Sequence, residues 1–113
     1  LYDYPVSMAS LARKKDDDTN VAERFEMYLQ GVEIANGFTE LTDPIEQRRR
    51  FHKEIESIFE QTNLQMLMPE KFLGALNTLP SCAGIALGVD RLFMLMLGKK
   101  NVSGAVSFSP DDM

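Results

Sequence analysis

Hydrophobic and polar residues alternate with a period of two along positions 25–35, and a Gln30-Gly31 pair interrupts the alternation near its middle. This pattern predicts a β-hairpin with a two-residue turn. Directly opposite residues of an antiparallel pair share a face, so this register sets Glu26 opposite Ala35. Glu26 and Glu33 are then diagonal neighbours on one face of the sheet.

Apolar residues recur at helical spacing farther along the chain. Asp43, Pro44 and Glu46 have the chemistry of a helix start, with a capping Asp, a proline at the first helical position and a Glu that closes a capping box. We therefore predict an amphipathic helix from Pro44 to about Gln61, with its charged face solvated. Its apolar positions are Phe51, Ile55, Ile58 and Phe59.

Shorter elements lie on both sides of the hairpin and this helix. Pro5 holds the residue before it in an extended conformation, so positions 1–12 are expected to form a strand and a loop. Together these elements predict an α+β fold, an antiparallel sheet flanked by helices. The other predicted elements are a helix over 69–78 with Phe72, Leu73 and Leu76 inward, a central strand over 85–89, a helix capped by Asp90 and running through Leu97, and a short helix followed by a strand at 105–108.

Composition narrows the class of protein. The chain has 113 residues, 44% of them hydrophobic and 26% charged, which is enough for one globular core. No apolar run is long enough to span a membrane. The net charge of -5 argues against a broad phosphate-binding surface for nucleic acid on this chain. The charged run at 13–18 is expected to be a solvated loop.

A single cysteine, Cys82, excludes an internal disulfide and a zinc site of the cysteine type. This cysteine usage fits a reducing cytoplasm, and we expect a cytoplasmic protein in which Cys82 is a small buried side chain. The chain starts at Leu1 rather than at a methionine. We therefore expect it to be part of a longer polypeptide.

Two carboxylates on one sheet face can hold Mg²⁺ that bridges phosphates, because this ion prefers oxygen ligands and keeps waters and substrate phosphates in its shell. Glu26 and Glu33 are the candidates. The alternative is that both simply occupy the solvent face of an antiparallel hairpin.

The segment that follows combines an amide, an aromatic ring and a further carboxylate in Asn36, Phe38 and Glu40. Such a set can recognise an amino acid. The carboxylate of Glu40 would pair with a side-chain ammonium, Asn36 would bind the α-amino or the carboxylate end, and Phe38 would cover the aliphatic stem. The alternative interpretation is that Phe38 is an ordinary core residue and Glu40 is merely exposed.

Arg91 lies where an apolar run punctuated by Gly84 and Gly88 meets an apolar helix. A guanidinium held beside a buried strand, with few side chains nearby, suits a flat ligand or a polyphosphate that approaches the backbone closely. Together with the hairpin, this junction indicates one site for an anionic ligand, a cation and an amine.

The stretches ERFEMYLQGVEIANGFTELTDPIEQRRRF and AGIALGVDRLFMLMLG resemble the C-terminal half of a class II lysyl-tRNA synthetase catalytic domain, and the resemblance covers nearly the whole chain. It implies that residues 1–113 are the C-terminal portion of such a domain, a partial class II aminoacyl-tRNA synthetase catalytic fold. Sharing one site between Glu33 and Asn36 then requires a β-bulge near 35–37. The resemblance implies that Glu26 and Glu33 bind Mg²⁺ and the ATP phosphates, that Arg91 lies against ATP as the catalytic residue, and that Asn36, Phe38 and Glu40 form the lysine pocket.

Within this family, LPSCAGIALGVDRL is most similar to the shortened GenX/PoxA-type paralogues that ligate lysine to elongation factor P. True lysyl enzymes usually carry Pro-Thr in place of Ser81-Cys82 and Gly in place of Ala86. Ala86 and Gly88 would belong to the substrate pocket. One added methyl group is worth only about 1 kcal/mol, enough to tilt a preference towards β-lysine over α-lysine.

The resemblance implies a ligase that activates lysine or β-lysine as an aminoacyl-adenylate and passes it to a lysine of elongation factor P. The dimer motif and a second ATP-binding arginine normally lie upstream of these residues, so this segment alone is expected to be inactive and the full-length protein to be a homodimer. Two alternatives remain: an ordinary lysyl-tRNA synthetase that charges lysine tRNA, and a catalytically inactive synthetase-like binding module.

Overall fold

The computed structural model describes residues 1–107. It contains a four-stranded antiparallel sheet in the order β1-β2-β3-β4, with three α-helices, as the α+β prediction requires. The elements are β1 (Tyr2–Pro5), a 3₁₀ turn (Val6–Met8), β2 (Val21–Leu29), β3 (Val32–Thr39), α1 (Pro44–Thr62), α2 (Glu70–Leu76), β4 (Ala83–Leu87), α3 (Val89–Met96) and a second 3₁₀ turn (Val102–Gly104).

The hairpin of β2 and β3 turns at the predicted pair, since Gln30 and Gly31 have φ angles of 50° and 78°. Two consecutive residues with positive φ are typical of the turn that matches the twist of paired strands. The predicted register holds next to the turn, where Leu29 faces Val32, and is wrong farther along the strands, because Glu26 faces Asn36 rather than Ala35. The register shifts beside Tyr28, where one extra residue of β3 is accommodated in a bulge.

Helix α1 begins at Pro44 and ends at Thr62, one residue past the predicted end. Asp43 caps it, accepting hydrogen bonds from the backbone N–H groups of Ile45 at 2.8 Å and Glu46 at 3.3 Å. The expectation of a merely solvated charged face is wrong for Arg50. Its side chain is 14% exposed and donates to the carbonyl oxygens of residues 10 and 12.

The apolar side of α1 meets α2, where the rings of Phe51 and Phe72 lie 5.8 Å apart. Leu73 and Leu76 are buried as predicted, whereas Phe72 remains 42% exposed although it was expected to face inward. Helix α2 is one turn shorter than the sequence predicted, running over Glu70–Leu76.

Strand β4 covers Ala83–Leu87 and pairs with β3. It was predicted as a central buried strand, but within residues 1–107 it is an edge strand, with Ile85 65% and Leu87 51% exposed. The prediction failed because an apolar run reports a preference for burial and cannot report which neighbours the strand has. Asp90 does not cap α3, since the helix starts at Val89, two residues earlier than predicted, with Gly88 at the cap position and no side-chain cap.

The charged run at 13–18 is a loop, but it is not merely solvated. Its cations pair with acidic residues of three other segments, which ties the loop to the sheet and to α1. The pairs are Arg13 with Glu23 at 2.9 Å, Lys14 with Glu46 at 3.4 Å and Lys15 with Asp3 at 2.7 Å.

The described part of the chain has a small core in which Ala9, Ala12 and Ala22 form a buried cluster. Cys82, expected to be buried, is half-buried. A short helix is found in the tail as predicted, but residues 105–107 form no strand, and Phe108 lies outside the described residues. Within that described range, no helix combines the length and the apolar character needed to cross a membrane.

Candidate active site

Cross-strand pairing collects most of the predicted site residues on one face of the sheet. Asn36 lies opposite Glu26 of β2 and opposite Ala86 of β4, so these three side chains form a row across the sheet. A neighbouring row is formed around Phe38 and another by the pair of Tyr28 and Glu33. We call this surface the polar face; its members are Arg24, Glu26, Tyr28, Glu33, Asn36, Phe38, Gly84 and Ala86.

Glu26 is held by partners on three sides in what we call the inner cluster, formed by Tyr4, Arg24, Glu26, Tyr28 and Asn36. The hydroxyl groups of Tyr4 and Tyr28 donate to Glu26 Oε2 at 2.7 Å and 2.5 Å, and Arg24 Nη2 donates to Oε1. The Glu26 side chain is only 10% exposed. Its carboxylate is therefore fixed in position before any ligand arrives.

Hydrogen bonding sets the protonation states of the inner cluster. The hydroxyl of Tyr28, followed by that of Tyr4, lowers the pKa of Glu26, because both donate to its charged form. Donating these two hydrogen bonds raises the pKa of each phenol, that of Tyr4 to about 12 and that of Tyr28 above its ordinary value. At neutral pH the cluster therefore holds one carboxylate and two protonated phenols.

Glu33 and Arg91 form a looser contact at the end of the sheet, which we call the outer pair. Arg91 Nη1 donates to the Glu33 carbonyl oxygen at 2.9 Å and lies 3.8 Å from Glu33 Oε2. The two side chains are 51% and 36% exposed. Gly88 makes room for this arrangement, since a Cβ there would lie 3.3 Å from Arg91 Cδ.

The bulge in β3 brings Asn36 onto the face that carries Glu26 and Glu33. Met27 pairs with Ala35 and Tyr28 pairs with Glu33, so Ile34 is the extra residue. The sequence predicted a bulge at 35–37, and the structure has it one residue earlier. The Ile34 carbonyl accepts from the N–H of Gly88 at 2.8 Å, which ties the start of α3 to the bulge.

The three residues predicted to bind an amino acid lie along β3 and just beyond it. Asn36 Oδ1 accepts from Arg24 Nε at 3.3 Å. Phe38 packs against the alanine cluster of the core while staying half-buried, so the core interpretation of this ring holds in part.

Glu40 lies beside Gly84, where a Cβ would be 3.4 Å from Glu40 Oε1. The missing side chain at Gly84 therefore leaves space in front of this carboxylate. Within residues 1–107 no cationic side chain lies within ion-pair distance of it. A partly buried carboxylate with open space before it suits an incoming ammonium group.

The donor chemistry fits Mg²⁺ carried by a polyphosphate. Among the described residues no group of three or more His, Cys, Asp or Glu side chains gathers to hold a metal by itself. Mg²⁺ does not need such a group, because it usually takes one or two carboxylates and completes its shell with water and phosphate oxygens. Glu26 and Glu33, diagonal neighbours on the polar face, supply two.

Sequence reasoning missed Tyr4, Arg24 and Tyr28 as members of the site. Arg24 and Tyr28 lie two positions on either side of Glu26, so the alternation that predicted the strand already placed all three on one face. Tyr4 carried no such signal, because its approach depends on the pairing of β1 with β2.

The profile of the family described as "tRNA synthetases class II (D, K and N)" matches residues 1–112. The chain belongs to this family. Membership agrees with the resemblance to the lysyl branch noted from the EIANGF and GVDRL segments.

Within the class II family, the chain is similar to several proteins that share one name. The chain is 50% identical over 113 residues to a Histophilus somni protein named elongation factor P–(R)-β-lysine ligase, covering 98% of this chain and 35% of that protein. Proteins of the same name from Proteus mirabilis and Salmonella paratyphi B are 49% and 45% identical, covering 96% and 98% of this chain and 34% of each relative. The chain thus spans about a third of the length of these relatives.

Proposed function

We propose that the complete protein containing this chain activates lysine or β-lysine with ATP and transfers it to a lysine side chain of elongation factor P. The amino-acid carboxylate attacks the α-phosphorus of ATP, pyrophosphate leaves, and an aminoacyl-adenylate results. The acceptor amine then attacks the carbonyl carbon of that adenylate, an amide bond forms and AMP leaves. The names of relatives at 45% to 50% identity support the substrate and the acceptor in this proposal.

The observation that carries the proposal is the row of Glu26, Asn36 and Ala86, with Glu33 and Arg91 beside it on the same face. A ligand lying across this row would meet carboxylates, an amide and a guanidinium together. These are the groups that an amino acid and a magnesium-bound polyphosphate require.

In this proposal the residues of β3 recognise the amino acid. Glu40 pairs with the ammonium group of the lysine side chain, and Phe38 covers part of the aliphatic stem. Asn36 holds the other end of the substrate. Ala86, directly across from Asn36, forms part of the pocket wall, and Gly88 leaves room for the Arg91 side chain.

The remaining residues would bind the charged groups of ATP and its metal ion. Arg91 binds the ATP phosphates from the start of α3, and Glu26 and Glu33 hold Mg²⁺. The metal would neutralise negative charge on the phosphates when bound. Catalysis then comes from positioning and charge neutralisation rather than from a general base.

We further propose that residues 1–113 are the C-terminal portion of a class II catalytic domain and that the complete protein is a cytoplasmic homodimer. The family match over residues 1–112 and the coverage of about a third of each relative support the assignment of the chain to part of a class II domain. The rest of the ATP site would then lie in the other two thirds of the polypeptide.

The test uses the complete gene product with ATP and Mg²⁺, comparing β-lysine with α-lysine. Intact mass of elongation factor P and charging of lysine tRNA are followed in parallel. We expect a mass gain on elongation factor P without tRNA charging. An Asn36→Ala variant should lose this activity, whereas a His52→Ala control on the exposed side of α1 should keep it.

Two other outcomes would contradict the proposal. Charging of tRNA alone would make the protein an ordinary lysyl-tRNA synthetase. Absence of both products, with no release of pyrophosphate, would leave a catalytically inactive synthetase-like module.

A further inference from the structure

The Arg24 side chain contacts an amide, a carboxylate, a backbone carbonyl and an aromatic ring in the inner cluster and beside it. Its Nε donates to Asn36 Oδ1 at 3.3 Å, Nη2 donates to Glu26 Oε1, and Nη1 donates to the Met8 carbonyl oxygen at 2.5 Å. Its guanidinium carbon lies 4.7 Å from the centre of the Tyr4 ring, a cation–π contact. The side chain is 15% exposed.

The chemistry of the guanidinium decides how the Asn36 amide is oriented. Arginine has only donors, so the Asn36 atom that it meets must be the amide oxygen. The two N–H bonds of Asn36 Nδ2 are then left for an acceptor on a ligand. An orientation with the amide nitrogen against Arg24 would set donor against donor.

The same guanidinium also fixes the carboxylate across the strand pair. Glu26 lies directly opposite Asn36, and Arg24 reaches both through different nitrogen atoms. A planar fork with donors at fixed angles can hold two acceptors at once, whereas a lysine ammonium acts as a single point charge.

We propose that Arg24 is a positioning residue that fixes the Asn36 amide with its N–H bonds towards a carboxylate oxygen of the amino-acid substrate. This inference rests on the proposed function, since it names the substrate group that Asn36 receives. Arg24 acts through Asn36 and Glu26 and does not itself contact the reacting atoms. The orientation favours the carboxylate end of the substrate, because the two N–H bonds of Asn36 need an acceptor and an ammonium group offers none.

The matched variants are Arg24→Lys and Arg13→Lys. Arg13 makes a similar forked contact with a glutamate of β2, since its Nε and Nη2 atoms lie 3.3 Å and 2.9 Å from the Glu23 oxygens. Glu23, however, points to the opposite side of the strand from the polar face. Both changes keep the charge and remove a forked contact. They differ in whether Asn36 loses its partner.

The first measurement is amino-acid-dependent exchange between ATP and pyrophosphate by the complete gene product. Arg24→Lys should raise KM for the amino acid roughly tenfold, the size of one lost charge-assisted hydrogen bond. KM for ATP should rise less, because the lysine ammonium can still pair with Glu26 while Asn36 loses its partner. The substitution should also reduce the preference for the amino acid over its carboxamide. Equal amino-acid KM values and equal preferences in the Arg24→Lys and Arg13→Lys proteins would overturn the proposal.

The second measurement does not depend on activity. In protein labelled with ¹⁵N in asparagine side chains, the Asn36 Nδ2 resonance should shift in Arg24→Lys and stay in place in Arg13→Lys. An unshifted resonance in Arg24→Lys would refute the positioning contact. A wild-type protein without any exchange activity would reject the proposed function, and the resonance would then still decide whether Arg24 orients the amide.

Discussion

The inner cluster and the outer pair are both built around an arginine and a glutamate on one face of the sheet, yet they differ in how completely they are formed. In the inner cluster Arg24 and Glu26 are 15% and 10% exposed, and the Glu26 carboxylate also accepts two tyrosine hydroxyls. In the outer pair Arg91 and Glu33 are 51% and 36% exposed and their charged atoms lie 3.8 Å apart.

The difference separates two tasks. Groups fixed by neighbours lose little further freedom when a ligand binds, so the inner cluster suits selective recognition. Groups that remain hydrated and loosely paired can rearrange around a charged ligand at small cost, because exposed pairs of this kind contribute little to stability. The outer pair therefore suits the ATP phosphates, and Glu26 would supply the fixed carboxylate of a metal site that the two regions share.

The largest effect is expected from Glu26→Gln, with Glu33→Gln as its matched control. Replacing Glu26 weakens the hydrogen bonds from Arg24 and the two tyrosines, so Tm should fall by roughly 2–6 °C and activity by about a hundredfold. Glu33→Gln should lower activity while leaving Tm within about 1 °C, because its carboxylate is exposed. Calorimetry and pyrophosphate exchange on the complete protein measure both.

Equal Tm losses in the two variants would remove the distinction between a preformed inner cluster and an adjustable outer pair.

The stabilising effect of Glu26 should depend on pH with a defined sign. The pKa of Glu26 is lowered below its ordinary value of 4.5 in the folded protein, chiefly by the hydroxyl of Tyr28. A carboxyl with a lowered pKa stabilises the fold above its unfolded pKa and loses that effect as pH falls through the folded value. The Tm gap between wild type and Glu26→Gln should stay constant from about pH 7 to about pH 5 and shrink below that.

Thermal unfolding of both proteins across this range checks the sign. A gap that widens on acidification would mean that the protonated form of Glu26 is the one the cluster prefers.

At the outer pair, Arg91→Ala should raise KM for ATP roughly tenfold with little change in Tm, because the side chain is half exposed and contributes mainly to the ligand. Arg91→Lys keeps the charge and should show a smaller increase. Equilibrium binding of a non-hydrolysable ATP analogue measures the effect directly. Full affinity in the alanine variant would exclude Arg91 from the ATP site.

The smallest effect is expected at the pocket wall. Ala86→Gly removes one methyl group from the row across the polar face, and should change the ratio of kcat/KM for β-lysine and α-lysine by about fivefold or less. Ala83→Gly makes the same change on the same strand, at a position of the opposite parity. If both variants alter the ratio equally, Ala86 has no special part in selectivity.

Local sequence features predicted much of the fold because they act over a few residues. The Gln30-Gly31 turn and the start of α1 at Pro44 each depend on neighbouring side chains and backbone angles, and both are found where expected. The shared face of Glu26 and Glu33 also follows from alternation on the two sides of a short turn.

The position of the bulge could not be predicted in the same way. Glycine is common where strands are irregular, and Gly37 lies within the predicted range of 35–37, but Gly37 pairs regularly with Phe25. The glycine is needed for a different reason: a Cβ there would lie 2.6 Å from Phe25 Cε1. The residue that is actually extra, Ile34, has the side chain of an ordinary strand residue and therefore gives no signal.

Partners that come from distant segments were also beyond local reasoning. The hydrogen bond from Tyr4 to Glu26 depends on how β1 pairs with β2 across a separation of 22 residues. Likewise, the apolar composition of β4 predicted burial, while its exposure depends on the strands that lie beside it.

Because Ile34 is an extra residue in β3, the number of residues between Glu33 and Asn36 determines whether their side chains share a face. Glu33 and Asn36 are an odd number of positions apart and still share a face, which regular alternation forbids. Exchanging Ile34 for another apolar residue would preserve this arrangement. Deleting it would restore an unbroken ladder and turn one of the two side chains to the back of the sheet, so two sequences differing only by that gap would present different surfaces to a substrate.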